Sequence, residues 1–296
     1  MSLKIGIITR NEYGWSSSQL REAMEKRNIA SVFFRFAQLV ARVHYDPQAS
    51  VSFGEINILE DLSALITRPI GRGSLEEIIF RMNLLHRLER LGMLIINPPL
   101  SIERSADKYH TLCLLEEHDL PVPRTAVTES SEEALECFQE LGGDVVIKPL
   151  FGSRGIGSTR VSDPDIATRI FRAVSFYHGI LYLQEFVPHG VSDIRAFVIG
   201  DHVVASMYRV AETWKTNVSL GAKPVSTKLT SELESLAVRA AKIIGCKMAG
   251  VDILEGPNGP IIVELNSQPG WRGLQSVTKI NIADEIVEFV LSEIKA

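Results

Sequence analysis

Two short stretches near the end of the chain carry its densest set of oxygen ligands: AGVDIL at 249–254 and VELN at 263–266, joined through EGPNG. Glycine and asparagine at the bend read as a tight turn, so the two stretches fold on each other as a hairpin. That pairing brings Asp252 within a residue or two of the position opposite Glu264. Glu264 and Asn266 are two apart on a strand, so their side chains leave from one face. Two carboxylates and an amide converging there suit magnesium, which takes one or two carboxylates and completes its shell with substrate phosphates. An exposed hairpin would also turn polar residues outward. Here Ile253, Leu254, Ile262, Val263 and Leu265 leave little of the pair facing water, which favours the metal.

A second group of residues could grip phosphate. The stretch DVVIK at 144–148 ends on Lys148 and runs through Pro149 into FGSRGIGS at 151–158. Gly152, Gly155 and Gly157, with Ser153 among them, let backbone amides approach a phosphate with no Cβ in the way. The loop is neither a Walker A sequence, since GK[ST] is missing, nor a GxGxxG dinucleotide turn. Alone it reads as a structural turn. Lys148 adds a point charge beside it, and Lys108, which opens an earlier helix, would by itself pass as a surface lysine. LYLQEF at 181–186 ends a strand on Gln184, Glu185 and Phe186, where backbone groups can bond a purine edge and a carboxylate can take ribose hydroxyls. Asp193, Arg195, Arg209 and the run Lys215-Thr216-Asn217 add charges near the hairpin. A salt-bridge network would use the same residue types.

The elements that must position these groups follow from periodicity. LKIGII at 3–8 is the continuous apolar run of a strand buried on both faces. VFFRF at 32–36, ALIT at 64–67 and MLII at 93–96 read as further strands. Between them lie helices, one opened by a capping-box pattern at Ser16 and Gln19, the other by Ser74 and Glu77. In the second, Leu75, Ile78, Ile79, Met82, Leu85 and Leu88 share a face, and Asn97-Pro98-Pro99 closes the segment. Alternating strands and helices over 1–97 predict a small open α/β domain. Beyond it, helices are expected at 107–117, 131–141 and 164–174, with strands at 144–148 and 181–185. From 194 the pattern becomes antiparallel, with IRAFVI and HVVASM flanking the turn Gly200-Asp201. A helix over 231–244 and a final one capped by Asn281 complete the chain.

At 296 residues the chain exceeds a single core, so two or three subdomains are expected. It is 45% apolar and 23% charged, with a net charge of −5 and both signs interspersed. That balance gives no footprint for nucleic acid or anionic membrane. Cys113, Cys137 and Cys246 are odd in number and far apart, which suits a reduced cytoplasm. No run approaches the ~18 apolar residues of a membrane helix.

In combination these features resemble the ATP-grasp superfamily and, within it, the RimK-type glutamate ligases. The similar blocks, in order, are DK at 107–108, VVIKP, GSRGIGS, QEF, SDIRAFVIGDHVVASM, the Lys-Thr-Asn run, AGVDIL and VELNSQPG. The resemblance implies an N-terminal α/β domain (1–97), an ATP-grasp lid subdomain (98–186) and a catalytic subdomain (187–296). It implies that Lys108 and Lys148 bind the α- and β-phosphates under a glycine-loop lid. Gln184, Glu185 and Phe186 would line the adenine pocket, with Asp193 near the ribose. Asp252, Glu264 and Asn266 would hold magnesium, for which manganese could substitute, and Arg195 and Arg209 would stabilise the phosphoryl group and the oxyanion. The implied reaction adds L-glutamate to an acceptor carboxylate through an acyl phosphate. The resemblance implies a pterin- or furan-type coenzyme or a protein C-terminus as acceptor, and a homo-oligomeric enzyme. A phosphotransferase and a nucleotide-binding regulator of the synapsin kind are the competing classes. Two features depart from the family pattern. Lys215-Thr216-Asn217 stands where Arg-x-Asn is usual, and lysine lacks the planar fork of arginine. Trp271 and Arg272 follow the hairpin, where either they meet a ring and a carboxylate of the acceptor or Trp271 simply packs the final helix against the domain.

Overall fold

The computed structural model describes residues 3–46, 50–152 and 155–295. The apolar runs of the first domain form β1 (Lys4–Ile8) and β2 (Ala30–Phe34), joined by α1 (Trp15–Glu25). A small antiparallel sheet of β3 (Leu39–Ala41), β4 (Val51–Phe53) and β5 (Ile56–Asn57) interrupts the alternation. Then come α2 (Ile58–Asp61), β6 (Ala64–Thr67), α3 (Leu75–Arg90) and β7 (Ile95–Ile96). The main sheet is parallel in the order β2-β1-β6-β7. Its central strands are sealed on both faces, with Ile5, Ile7, Leu65 and Ile66 fully buried.

Local signals here held in part. Ser74 and Glu77 do cap α3 reciprocally. Ser16 and Gln19 do not cap α1, because that helix starts earlier, from Gly14, while Ser17 bonds the carbonyl of Asn11. The strand expected to reach residue 36 stops at Phe34, where Arg35 leads into a short 3-10 turn. In α3 the apolar stripe is buried only from Met82 onward, and Leu75 and Ile79 stay 75% and 50% exposed.

A helix that was not expected, α4 (Pro99–Ala106), precedes the one expected at 107–117, which forms as α5 (Lys108–Glu116). Pro99 starts the first, where its missing N–H is harmless. Asp107 ends it and caps the second, accepting from the amides of Tyr109 and His110. Leu115 and Leu120 sink into the core beneath the C-terminal sheet. Segment 108–120 therefore packs with the C-terminal sheet and not with the rest of the 98–186 segment, while Ile102 of α4 joins the core of the N-terminal domain.

The lid is β8 (Thr125–Thr128), α6 (Ser131–Glu140), β9 (Val145–Lys148), β10 (Thr159–Val161), α7 (Pro164–Phe176) and β11 (Leu181–Glu185). Its sheet runs β10-β9-β11-β8, antiparallel throughout, so the antiparallel part of the molecule starts before residue 194. Phe138 of α6 and Phe171 of α7 fill its core.

The C-terminal sheet, also antiparallel, is ordered β14-β13-β12-β15-β16. Its strands are β12 (Ser192–Ile199), β13 (His202–Val210), β14 (Lys223–Ser226), β15 (Met248–Gly256) and β16 (Gly259–Asn266). Between β14 and β15 runs α8 (Ser231–Ile244), capped by Thr230 and closed by Gly245 at φ +86°. The chain ends with α9 (Arg272–Gln275) and α10 (Ile282–Lys295), where Asn281 accepts from the amide of Asp284. The period of two on β12 divides the two faces. Ile194, Ala196 and Val198 pack toward α8. Phe197 and Ile199 join α10, α1 and β1 in one core shared with the N-terminal domain. The Asn97 amide ties these domains further, donating to the carbonyls of Met248 and Ser267 and accepting from the Met248 amide at 2.8 Å.

Candidate active site

A cleft of about 850 Å³, counting its open mouth, lies between the lid and the C-terminal sheet. The hairpin expectation holds: Asp252 pairs directly opposite Glu264, and Gly250 opposite Asn266. On β12, Arg195 sits beside Asp252, and Asp193 opposite Arg209 of β13. One face of four adjoining strands thus carries Asp193, Arg195, Arg209, Asp252 and Glu264. A Cβ on Gly250 would lie 2.2 Å from an Arg195 Nη atom, so glycine is required there for that guanidinium to lie across the sheet.

These charges are not equivalent. Asp193 is held by Arg209 through both carboxylate oxygens, one at 2.7 Å, and is 4% exposed. Arg209 also reaches Asp252 Oδ2 at 3.0 Å. Burial works against the Arg209 charge, but the two aspartates overcome it and hold the group above its ordinary range. Arg195 donates to Asp252 Oδ2 at 3.2 Å and lies 2.7 Å from Oδ1. That second approach is off the line of a hydrogen bond, so buried Oδ1 keeps its acceptor capacity. Glu264 carries no ion pair among the described residues, and the buried Asn266 amide nitrogen has no partner. No three His, Cys, Asp or Glu side chains gather among the described residues. The donor set is one half-committed carboxylate, one free carboxylate and one amide. Hard oxygen donors with capacity to spare fit magnesium and not a soft metal.

Facing them are the two lysines. Lys148, at the end of β9, donates to Gln184 Oε1 at 2.5 Å. Burial pushes its ammonium down to about 8, the nearby Glu264 opposes this and Lys108 adds to it. Lys108 is also lowered by burial, and donates to the carbonyls of Leu150 and Gly152 at 3.2 and 3.0 Å. It therefore touches the glycine loop directly, which its sequence position did not reveal. Gly155 and Gly157 adopt φ of +70° and +83°. A Cβ on Gly155 would meet Asn217 Oδ1 at 2.2 Å, so this loop and the Lys215–Asn217 run close on each other across the cleft. Ser153 lies outside the described residues.

The strand-end residues differ in what they do. Gln184 is 3% exposed, its amide nitrogen bonding Thr125 and Tyr182, so it anchors Lys148 from behind. Glu185 lines the cleft but accepts from the Arg124 amide and Nε at 2.9 and 2.7 Å. Phe186 carries the Arg160 guanidinium 3.4 Å from its ring centre and meets His189 and Trp214 at 5.9 and 6.0 Å. His189 and Trp214 escaped the sequence reading. An aromatic directly before Lys215 was the available signal, since cleft lysines and stacking rings tend to share a nucleotide. For Trp271 the packing alternative holds over the acceptor one. It is 1% exposed and packs among Trp15, Phe197 and Arg68, so it is a core residue and meets no acceptor. Arg272 is exposed.

A family model of the RimK-like ATP-grasp domain matches residues 105–290, and the chain belongs to that family. Among curated relatives, it is 35% identical to the tetrahydromethanopterin:alpha-L-glutamate ligase of Methanococcus maripaludis, over 99% of each chain. It is 37% identical to the enzyme of the same name from Methanocaldococcus jannaschii, over 99% of this chain and all of that one. Among solved structures, the ATP-grasp ligase PsnB, complexed with a phosphomimetic variant of minimal precursor, Mg and ADP, shares the fold. Its TM-score is 0.75 at 21% identity, covering 99% of this chain and 98% of that one. The chain is thus an ATP-grasp enzyme, a ligase joining a carboxylate to an amine.

Proposed function

We propose that this enzyme uses ATP and magnesium to attach L-glutamate, through its amine, to the carboxylate of a small pterin-type coenzyme. The observation that carries the reading is the opposition of two half-buried lysines to the Asp252–Glu264–Asn266 hairpin across one cleft. The similarity to two tetrahydromethanopterin:alpha-L-glutamate ligases supports the acceptor class.

Lys148 and Lys108 bind the phosphate chain as point charges, with the glycine loop closing over it. Asp252 Oδ1, Glu264 and Asn266 would hold magnesium, which supplies charge that offsets the repulsion between phosphate and an incoming carboxylate. Manganese, equally suited to oxygen donors, substitutes for it. Arg195 and Arg209, fixed by Asp193 and Asp252, present guanidinium donors where charge develops on the transferred phosphoryl group and on the tetrahedral oxyanion. The acceptor carboxylate attacks the γ-phosphorus and ADP leaves. The glutamate amine then attacks the acyl carbon, expels phosphate and gives up a proton. Phe186, Trp214 and His189 form the ring-lined end of the cleft for the base.

The test is mass spectrometry of products from pterin-type, furan-type and peptide acceptors with ATP, magnesium and glutamate, alongside phosphate release. The expected result is one added glutamyl mass on the pterin, with phosphate released only when both acceptor and glutamate are present. Phosphate retained on the acceptor would make the enzyme a phosphotransferase, and no turnover with any acceptor would favour a regulator.

A further inference from the structure

The N-terminal domain carries a second crevice of about 690 Å³, counting its open mouth, away from the cleft. It lies where the loops after β1, β2 and β6 diverge, outside the carboxyl ends of parallel strands. From β1 the chain passes to β2 on one side and later to β6 on the other, so this is the switch point at which open α/β sheets receive ligands. Arg10 follows β1, Arg35 follows β2, Arg72 follows β6, and Arg81 reaches in from α3. Among the described residues no carboxylate lines the crevice.

The four arginines have different tasks. Arg81 is paired to Glu77 and donates to the carbonyls of Ile70 and Arg72 at 3.3 and 3.1 Å, which fixes the loop. Gly71, at φ +89°, leaves room for the Arg10 side chain, whose Cδ would lie 3.1 Å from a Cβ there. Arg10, Arg35 and Arg72 are exposed and make no ion pair among the described residues. Like charges held on one concave wall repel each other, and the repulsion is relieved when an oxyanion enters. Arginine forks match phosphate and carboxylate geometry.

A physical ridge joins this crevice to the active site. Arg68, directly after β6, is 7% exposed, donates to the Pro269 carbonyl at 3.0 Å and stacks on Trp271. Pro269 stands three residues beyond Asn266. Residues 68–72 extend at most about 14 Å and 266–269 at most about 10 Å, so about 24 Å of chain plus the length of the Arg68 side chain is the most that separates crevice and hairpin. We propose that the crevice is the docking site for a second oxyanionic group of the acceptor, a phosphate or a carboxylate distinct from the one that reacts. This rests on the ligase reading for its role, though not for the existence of the anion site. Because binding remote from the reaction positions the reacting group, the crevice selects acceptors by their charged tail.

The experiment compares wild type with R10E/R72E, with R35Q as the milder variant if the first melts early. With the cleft saturated by a non-hydrolysable ATP analogue, calorimetric titrations use inorganic phosphate in one arm and glutarate in the other. Wild type should bind at least one of them, the arm that binds identifying the group, and the variant should lose roughly tenfold or more in affinity. In turnover, the Michaelis constant for an acceptor bearing the second anion should rise by a similar factor. That for a fragment lacking it, and that for ATP, should stay within about twofold. Wild type that binds neither anion, or a variant that binds as wild type does, overturns the proposal. If no acceptor is glutamylated the ligase reading fails, while the anion titration still decides the site.

Discussion

Replacing Lys148 by methionine should make the nucleotide-free enzyme more stable while stripping it of ATP affinity. Burial moves the titration of Lys148 from 10.5 down to about 8, which at pH 7 corresponds to at most about 3 kcal/mol of destabilisation carried by the charged form. Methionine keeps the stem and removes the charge. It also strips Gln184 of the Nζ donor, which costs about 1 kcal/mol. The net gain is on the order of 1–2 kcal/mol, a rise of a few degrees in Tm for a chain of this size. The sign with pH follows from which state holds the proton. The folded protein sheds it near pH 8 and the unfolded chain near 10.5, so wild type gains stability as pH rises through that window. The advantage of the variant should be full below pH 8 and should vanish above 10.5. In the same protein, loss of a charged phosphate contact of about 1.5–3 kcal/mol should weaken ATP by one to two decades. Thermal melts with chelator, at pH 7 and across 8–10.5, together with calorimetric titration of ATP, measure both. A variant that melts earlier at every pH refutes the burial argument, and one with unchanged ATP affinity refutes the phosphate grip.

Glu264→Gln and Asp252→Asn should both abolish turnover, with magnesium-free nucleotide binding kept. Only the aspartate change should also cost about 3–5 kcal/mol in a denaturant titration, because it leaves Arg195 and Arg209 facing a neutral group; equal stability losses would contradict the difference in pairing. Trp271→Ala should cost about 3–5 kcal/mol through the cavity it opens, without a selective change in the acceptor Michaelis constant. A selective rise with normal melting would return this residue to the acceptor site. Gly155→Ala should cost about 1–3 kcal/mol in the melt, because its φ of +70° and the Cβ contact with Asn217 both strain it, and should lower kcat/KM for ATP about tenfold or more; unaltered kinetics would mean the two segments need not meet.

The parts legible in the sequence are those whose cause is local or regular. The glycine turn brings Asp252 within a residue of the position opposite Glu264, and a bulge between Asp252 and Ile253, which no local pattern announces, completes the register that sets the two face to face. Residues 231–244 formed the helix expected because Thr230 caps it, Gly245 ends it and one face is apolar. What stayed hidden depends on partners distant in the chain. Trp271 looks like a cleft residue when only its neighbours 266–272 are considered. Its burial is decided by Trp15, Phe197 and Arg68, brought together only when the N-terminal domain packs on the C-terminal sheet. Gln184 does line the cleft, as its strand end suggested, but its side-chain contact was hidden. The Lys148 ammonium one strand away claims its oxygen.

The same distinction explains why the arginines of the first domain went unread. Arg10, Arg35 and Arg72 are each ordinary loop residues, separated by 25 and 37 positions, and none belongs to a motif. A parallel sheet gathers them, because every strand of such a sheet delivers its carboxyl end to the same edge. The ATP-grasp cleft is built otherwise, on antiparallel strands whose facing positions already alternate in sequence, so its charges declare themselves as pairs two residues apart. One chain thus holds two anion-receptive sites of different legibility. The phosphate grip is written into local spacing, and the arginine crevice comes into being only when the topology does.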